Sequence, residues 1–585
     1  MLTIKQNIKN ISPINRAILI TLIFGAFQLP FSSFMADDFM QLGILEGVSP
    51  HSWLGPMGIY TLADGRPEHM RISKDRGAFQ WFRDPEFKAK FFRPFSAALL
   101  MLDHWIFGLN PIGYSIHSIL WFLSLVIAAG FLMQRIVPGR TGTLALFIFT
   151  ISGIHWYVVY WAAARHIITA AALGLWSLLA YIKWREQGWK KGRILSFLGF
   201  SLSLLAGEAA LGILAYLCAY EFFAAKTGRQ KDTPGVLKRL LPYIILTIGY
   251  FIFYKSCGYG AYGGSGYINP LTEPLQFLLA FPGRVLALAG SMILGGHTEL
   301  WMISSIRPFM IFACVLAVVL ITVLLKKTRP LASSKEIKST RWLLSGSILS
   351  MVPFCAASPG ARSLVIPFIG GSVILSLIFR YRSSLRCERK VFGIFCWVLL
   401  FIHFVFAPFQ RFAGPVFAKS AFVNRLESIL KKAEFDHVQP PQKLVFLTVP
   451  DFAVGLHSYY YRKLYRQPMP ESWWVLSWEK CDHRLYRSSE RVFELELIEG
   501  SIKQPFLREG AFIKLTGMDV KILETDDKGA KRIEFKFDRS LDDPSLGFLA
   551  WIDGRLRRIK LPPVGSMLLQ PYMQNQQDFI SAPLK

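Results

Sequence analysis

The feature that most constrains this chain is a succession of long apolar runs that starts at Ala17 and stops near Gln410. A helix needs roughly 20 apolar residues to cross a bilayer, and about eleven segments here can do so. Beyond residue 410 the pattern changes to alternating charge, short apolar runs and turn residues. The expected fold class is therefore a polytopic α-helical membrane protein of about eleven spans carrying a C-terminal α+β or mainly β domain. Its expected parts are a membrane domain, 1–411, with a long first outer loop, 35–93, and a soluble domain, 412–585.

The net charge of +27 looks at first like a nucleic-acid signal, but its distribution excludes that class. The segments 1–16, 134–141, 183–193, 226–239, 326–341 and 380–390 together hold 26 Lys and Arg against four acids. The loop 35–93 holds eight of each sign, and the tail 412–585 holds 26 basic and 22 acidic residues. Short basic loops mark the cytoplasmic side of a membrane. The excess charge is thus a topology signal, with the N-terminus cytoplasmic and no nucleic acid among the partners. An apolar first span preceded by Lys5, Lys9 and Arg16 resembles a signal peptide. A cut after Ala36 would leave Phe34 where a small residue is needed, so the span is expected to stay uncleaved. The seven cysteines are scattered without a Cys-x-x-Cys pair, which gives neither a disulfide framework nor a zinc signature.

Taken in order, spans are expected near 17–34, 112–133, 142–161 and 167–182. The run 194–225 then forms a tight hairpin of two short spans with Gly207-Glu208 at its outer tip. That keeps the following basic stretch cytoplasmic and an acid out of mid-bilayer, where it costs about 2.5 kcal/mol or more. A span at 240–256 leads into a Gly/Tyr-rich loop, 258–264, expected to be mobile. The run 274–296 is expected not to cross, and spans near 307–325, 342–357, 363–379 and 391–410 complete the set. An odd number of crossings places the tail on the outer face. Phe39 to Leu45 reads as a short amphipathic piece on the membrane surface, and Phe92 to Gly108, with Asp103 and His104 inside it, as an interfacial helix. In the tail, strands are expected at 443–449, 492–498, 511–515, 520–523, 532–537 and 546–552, with a helix at 452–465.

On this topology one membrane edge collects Asp37, Asp38, Arg93, His117, His155, Arg165, His166, Glu208, Arg284 and Arg362. Arginine matches phosphate with two parallel donors and stays charged. A carboxylate orients or deprotonates an attacking hydroxyl. Such a set suits a reaction in which a lipid phosphate is gripped while an acceptor hydroxyl is activated. No Asp-x-Asp or i, i+4 spacing marks a dedicated metal site; metal ligands are not assigned, and a divalent cation stays open.

The order of these pieces carries a resemblance. One span is followed by Asp37-Asp38, a long loop, Arg93-Pro94-Phe95, then Phe107-Gly108-Leu109-Asn110-Pro111-Ile112-Gly113-Tyr114 and His117. Trp161-Ala162-Ala163-Ala164-Arg165, Gly207-Glu208-Ala209 and Ala361-Arg362-Ser363-Leu364 add to it. Over about residues 15–410 the chain resembles membrane glycosyltransferases of the GT-C fold, within them the protein O-mannosyltransferase and aminoarabinose-transferase group and its bacterial relatives. It departs from them at His117-Ser118-Ile119-Leu120, which lacks their Asn, and at Gly207, where they often carry Lys or Ser.

The resemblance implies transfer of a sugar, with inversion, from a polyprenyl-phosphate donor to an envelope glycan, lipid or protein on the non-cytoplasmic face of the inner membrane. Asp37 or Asp38 is then the general base or the acid that orients the acceptor. Arg93, Arg165 and Arg362, with Arg284, are donor-phosphate ligands, and Glu208, His117 and His166 are substrate-binding candidates. Two rivals make different predictions. A lipid-linked-glycan flippase requires ionisable residues along a path through the spans and paired broken helices, neither of which is seen. A non-catalytic scaffold requires the acidic pair to be dispensable.

Overall fold

A backbone inside hydrocarbon must satisfy its own hydrogen bonds, so the apolar runs fold as helices. The computed structural model describes residues 12–51, 54–137, 139–224, 233–264, 266–386, 390–435 and 443–572. The expected cytoplasmic stretches 1–11 and 225–232, and Cys387, lie outside these residues. Among the described residues, seven helices are long and apolar enough to cross a membrane: Pro13–Phe31, Pro111–Ile136, Ala162–Gln187, Gly235–Ser256, Pro274–Ile293, Arg307–Thr328 and Lys390–Lys432. An eighth counts if Arg140–Ile151 and Gly153–Tyr160, which meet at a 41° bend, form one span. The other expected spans are helical but shorter or more polar: Lys190–Ala206, Leu211–Phe223, Ser334–Met351 and Phe368–Arg380.

Two sets of paired charges define the two ends of the bundle. At one end Glu221 accepts from Arg185, Arg239 and the Tyr181 hydroxyl. Nearby, Arg135 pairs with Glu186, the Ser339 hydroxyl bonds Ile136 O, and Glu336 accepts from Thr141 and Arg380. At the other end Glu208 pairs with Arg93. The segment 190–223 therefore leaves and re-enters the same end and turns at Gly207-Glu208, as a hairpin must. The Pro274–Ile293 helix is tied at its middle and beyond its end to the turn around Cys355 and Ala361. Arg284 donates to Cys355 O, and the following 3-10 turn, Thr298–Met302, reaches Ala361 through Glu299. By length and composition the helix is one of the seven candidates to cross, against the expectation for the run 274–296.

The first outer loop is not a loose excursion. It contributes β1 (Thr61–Asp64), a helix over Pro67–Arg76 and β2 (Lys88–Lys90). The Gly/Tyr-rich segment, expected to be mobile, supplies β3 (Gly260–Tyr262) beside β2, because pairing satisfies backbone groups that a free loop would leave to water. The Asp37–Leu45 helix also does not lay its apolar face on the membrane surface. Phe39, Met40 and Leu42 are buried, and the Phe39 ring meets Tyr461 edge-on at 5.4 Å. Its apolar face packs on the tail, which offers more than lipid contact.

The helix starting at Lys390 runs unbroken to Lys432, past residue 411, and buries Leu426, Ile429 and Leu430 in the tail's core. The tail is α+β. β4 (Lys443–Phe446), a helix over Phe452–Leu464 and β5 (Ser472–Val475) form a parallel crossover unit. The further strands are β6 (Asp482–Arg487), β7 (Val492–Ile498), β8 (Phe512–Leu515), β9 (Met518–Thr525), β10 (Ala530–Phe537), β11 (Leu546–Ile552), β12 (Arg555–Arg558) and β13 (Met567–Gln570). They complete a four-stranded sheet, β12-β11-β4-β5, and a six-stranded antiparallel sheet, β13-β6-β7-β10-β9-β8.

Loop and tail share one core. Trp81 and Phe82 are buried among the strands, and Trp81 Nε1 donates to Leu476 O at 3.0 Å. Gln80 Nε2 donates to Gly455 O, and Trp474 Nε1 to Asp75 O. The loop that begins at the acidic pair is thus clamped from above.

Candidate active site

The Pro13–Gln28 helix ends in a 3-10 turn, and the chain then reverses at Ala36, whose φ of +51° is costly for a residue with a side chain. This reversal puts Asp37 and Asp38 in the first turn of the next helix, where unpaired N–H groups favour anions. The two acids then differ sharply. Asp38 is buried, and both its oxygens are used: Oδ2 accepts from Met35 N at 2.9 Å and Oδ1 from Ala163 N at 2.8 Å. Trp161 Nε1 closes the same junction on Met35 O. Burial pushes the Asp38 carboxyl up to about 7, against the two backbone N–H groups that favour its charged form. Asp37 is partly exposed, and no described residue donates a hydrogen bond to it. Burial raises its carboxyl above the usual range, while the Arg362 and Arg93 guanidiniums pull it down.

Arg362 lies in the 3-10 turn Ala361–Leu364, partly exposed, with no hydrogen-bond or ion-pair partner among the described residues. Its turn is held by Glu299, whose Oε1 accepts from Ala361 N at 2.9 Å. Burial raises the Glu299 carboxyl. Arg93 precedes Pro94, which keeps it out of the helical region, at φ −133° and ψ 57°, at the start of the Pro94–Phe107 helix. Its Nε donates to Glu208 Oε2 at 2.8 Å and its Nη1 meets His166 Nε2 at 3.1 Å. The guanidinium stacks over Phe91 and Tyr60.

A second cation is already neutralised. Arg165 Nη1 pairs with Asp103, which also meets His117 Nδ1, and Trp121 donates to His117 Nε2. Asp103 is 1% and Arg165 3% exposed, and Arg165 Nε and Nη2 are buried without a hydrogen-bond partner. Arg284 spends both terminal nitrogens on carbonyls, Cys355 O at 2.8 Å and Gly266 O at 3.0 Å. It secures the outer turn and is not brought to the acidic pair. His155 is enclosed by Phe122, Phe149 and Phe368.

Asp37, Arg362 and Arg93 therefore converge, with Glu208 and His166 orienting Arg93, and the Arg165–Asp103–His117 group stands behind the Asp38 junction. Asp103 and Glu299 are the residues that the sequence candidates lacked. Asp103 had a signal, an acid inside an apolar helix; Glu299 had none. Among the described residues no group of three or more His, Cys, Asp or Glu side chains is placed to hold a metal ion. The arrangement offers a free carboxylate within the field of an unpaired guanidinium, a geometry able to accept a proton beside a bound anion.

No protein-family model matches the sequence, and no curated protein matches it. Among solved structures the chain is similar to the oligosaccharyltransferase AglB from Archaeoglobus fulgidus in complex with an inhibitory peptide and a dolichol-phosphate. The identity is 12% and the TM-score 0.38, over 78% of this chain and 64% of that one. It is also similar to ArnT from Cupriavidus metallidurans bound to undecaprenyl phosphate, with 13% identity and a TM-score of 0.38 over 78% of this chain and 85% of that one. The chain thus spans less than two thirds of the oligosaccharyltransferase's length. At these identities and TM-scores neither likeness carries an argument about this chain.

Proposed function

We propose that this chain is an integral-membrane glycosyltransferase that moves a sugar from a polyprenyl-phosphate donor to a hydroxyl-bearing envelope glycan, lipid or protein. The observation that carries the reading is the division of labour in the acidic pair. Asp38 is consumed in holding the backbone, while Asp37 stands free beside the unpaired Arg362. In this reading the acceptor oxygen attacks the anomeric carbon and passes its proton to Asp37. The bond from that carbon to the phosphate oxygen breaks, and the phosphate leaves with the electron pair into the grip of Arg362 and Arg93. Preorganised cations facing the developing charge lower the barrier. Glu208 and His166 aim Arg93, and Arg165 adds positive potential through the nitrogens that Asp103 does not use. Membrane residues up to 411 and the tail from 412 are read as catalytic and covering parts. The protein sits in the inner membrane, its N-terminus cytoplasmic and its tail outside.

The test compares envelope glycans, glycolipids and glycoproteins by mass spectrometry in a deletion strain complemented with wild type or Asp37→Asn at matched protein levels. A sugar that wild type restores and Asp37→Asn does not supports the reading. Full restoration by Asp37→Asn removes it.

A further inference from the structure

Away from the acidic pair, the Asp37–Leu45 helix ends at a cleft of about 390 Å³. Its walls are Gly47, Val48 and Ser49, in the turn after that helix, and Lys463, Arg466, Gln467 and Met469, at the end of the tail helix Phe452–Leu464. Positive charge dominates the cleft. Lys463 has no carboxylate partner among the described residues, and Arg76 is held at the rim by its bond to Pro50 O. Burial and then Arg76 both hold the Lys463 ammonium below the usual lysine range. Arg466 has a φ of +51°, a conformation that a residue with a side chain adopts at a cost and that recurs at ligand clamps. Glu46 lies 3.3 Å from Arg466 and is also bonded to His104 at 2.8 Å.

His104 locates the cleft relative to the bilayer. It belongs to the Pro94–Phe107 helix, which exposes Ala98, Leu102, Trp105 and Ile106 at spacings of one helical face. Trp105 is 80% exposed. An exposed apolar stripe with a tryptophan is the pattern of a helix lying in the membrane interface. The chain of contacts from His104 through Glu46 to Arg466 therefore sets the basic cleft directly over the headgroup layer.

We propose that this cleft binds the phosphate-bearing headgroup of an anionic membrane lipid, with Lys463 and Arg466 as its cationic ligands. A zwitterionic headgroup brings its own ammonium into the same field and gains little. A bound headgroup bridges the tail to the membrane and braces the far end of the helix whose first turn holds Asp37, about 12 Å away along its axis. This goes beyond the sugar-transfer reading and does not depend on it.

The test titrates the purified full-length protein in neutral detergent with short-chain phosphatidic acid and counts bound lipid by native mass spectrometry. Wild type is expected to bind about 30-fold more tightly than Lys463→Gln/Arg466→Gln, given two surface charges, and the gap narrows as salt rises. Phosphatidylcholine of the same chain length binds both proteins alike. Lys463→Arg/Arg466→Lys keeps the wild-type affinity within about three-fold, because charge near the membrane surface drives binding. Equal binding of phosphatidic acid by wild type and the Gln pair overturns the proposal. So does an equal loss in the charge-conserving pair, which would make packing the cause. Competition by inorganic phosphate at matched concentration overturns the lipid source in favour of free phosphate. Asp37→Asn serves as a control with wild-type binding, so a failed transfer reaction leaves this result standing.

Discussion

The amide of Ala163 donates a 2.8 Å hydrogen bond to Asp38 Oδ1 and thereby joins the start of the Asp37–Leu45 helix to the turn that precedes Arg165. Met35 N takes the second oxygen. An amide in place of this carboxylate has only one oxygen to accept with. Asp38→Asn should leave one buried N–H unpaired and cost about 1–3 kcal/mol. A lowered melting temperature in detergent at pH 8 checks it. Asp37→Asn breaks no hydrogen bond and should melt as wild type does, while transfer falls by about 10²-fold or more. If both variants melt normally, Asp38 is not the anchor.

Arg362 should separate charge from geometry. Its turn is fixed by Glu299, but its guanidinium has no partner among the described residues. Arg362→Ala is expected to lower transfer by about 10²–10³-fold, the usual effect of losing a preorganised donor at a developing anion. Arg362→Lys keeps the charge and loses the paired donors, so it should fall between wild type and Ala. Steady-state rates with a defined polyprenyl-phosphate sugar decide; a Lys variant as poor as Ala would point to shape rather than charge.

The acid limb of the pH–rate profile should report Asp37. Burial raises its carboxyl above the ordinary aspartate value of 3.8, and a group that must accept a proton works only when ionised. Activity should therefore climb with pH through a midpoint above 3.8. Arg362 and Arg93 favour the charged form, so removing Arg362's charge leaves burial less opposed. In Arg362→Gln the limb moves to higher pH, measured as residual rate across the profile. A limb that stays put, or moves down, assigns it to another group.

Much of this architecture is readable from residue order because it rests on local signals. Apolar length gave helices, alternation gave β7 and an apolar run gave β11 at their observed bounds, and the cost of a mid-bilayer acid placed Glu208 at a hairpin tip opposite Arg93. Other strands hid their pattern. β5, Ser-Trp-Trp-Val, is buried on both faces and shows no alternation. β6 carries Arg487 at a buried position, where Asp542 neutralises it. The distinction between Asp37 and Asp38 was invisible, since it depends on a backbone N–H from residue 163. So was the clamp of the first loop by the tail. Its bonds run from indole and amide side chains to carbonyls almost 400 residues away, and such contacts leave no periodicity behind.

That clamp makes the last prediction. Gly77 ends the Pro67–Arg76 helix at φ +80°, and a Cβ there would lie 1.7 Å from Trp473 O, within β5. Gly188 ends the Arg165–Gln187 helix at φ +69°, with nothing within 4 Å of an added Cβ. Alanine at either site carries the left-handed backbone cost of about 1–2 kcal/mol. Only Gly77→Ala also drives into a backbone carbonyl, which no rotamer change relieves. Its melting temperature should fall well below that of Gly188→Ala, and the segment 54–93 should become cleavable by added protease while the bundle stays intact. Because the same loop begins at Asp37, transfer should decline with it even though no side chain of the site has changed. Equal melting of the two alanine variants would mean that the loop does not need the tail to hold its place.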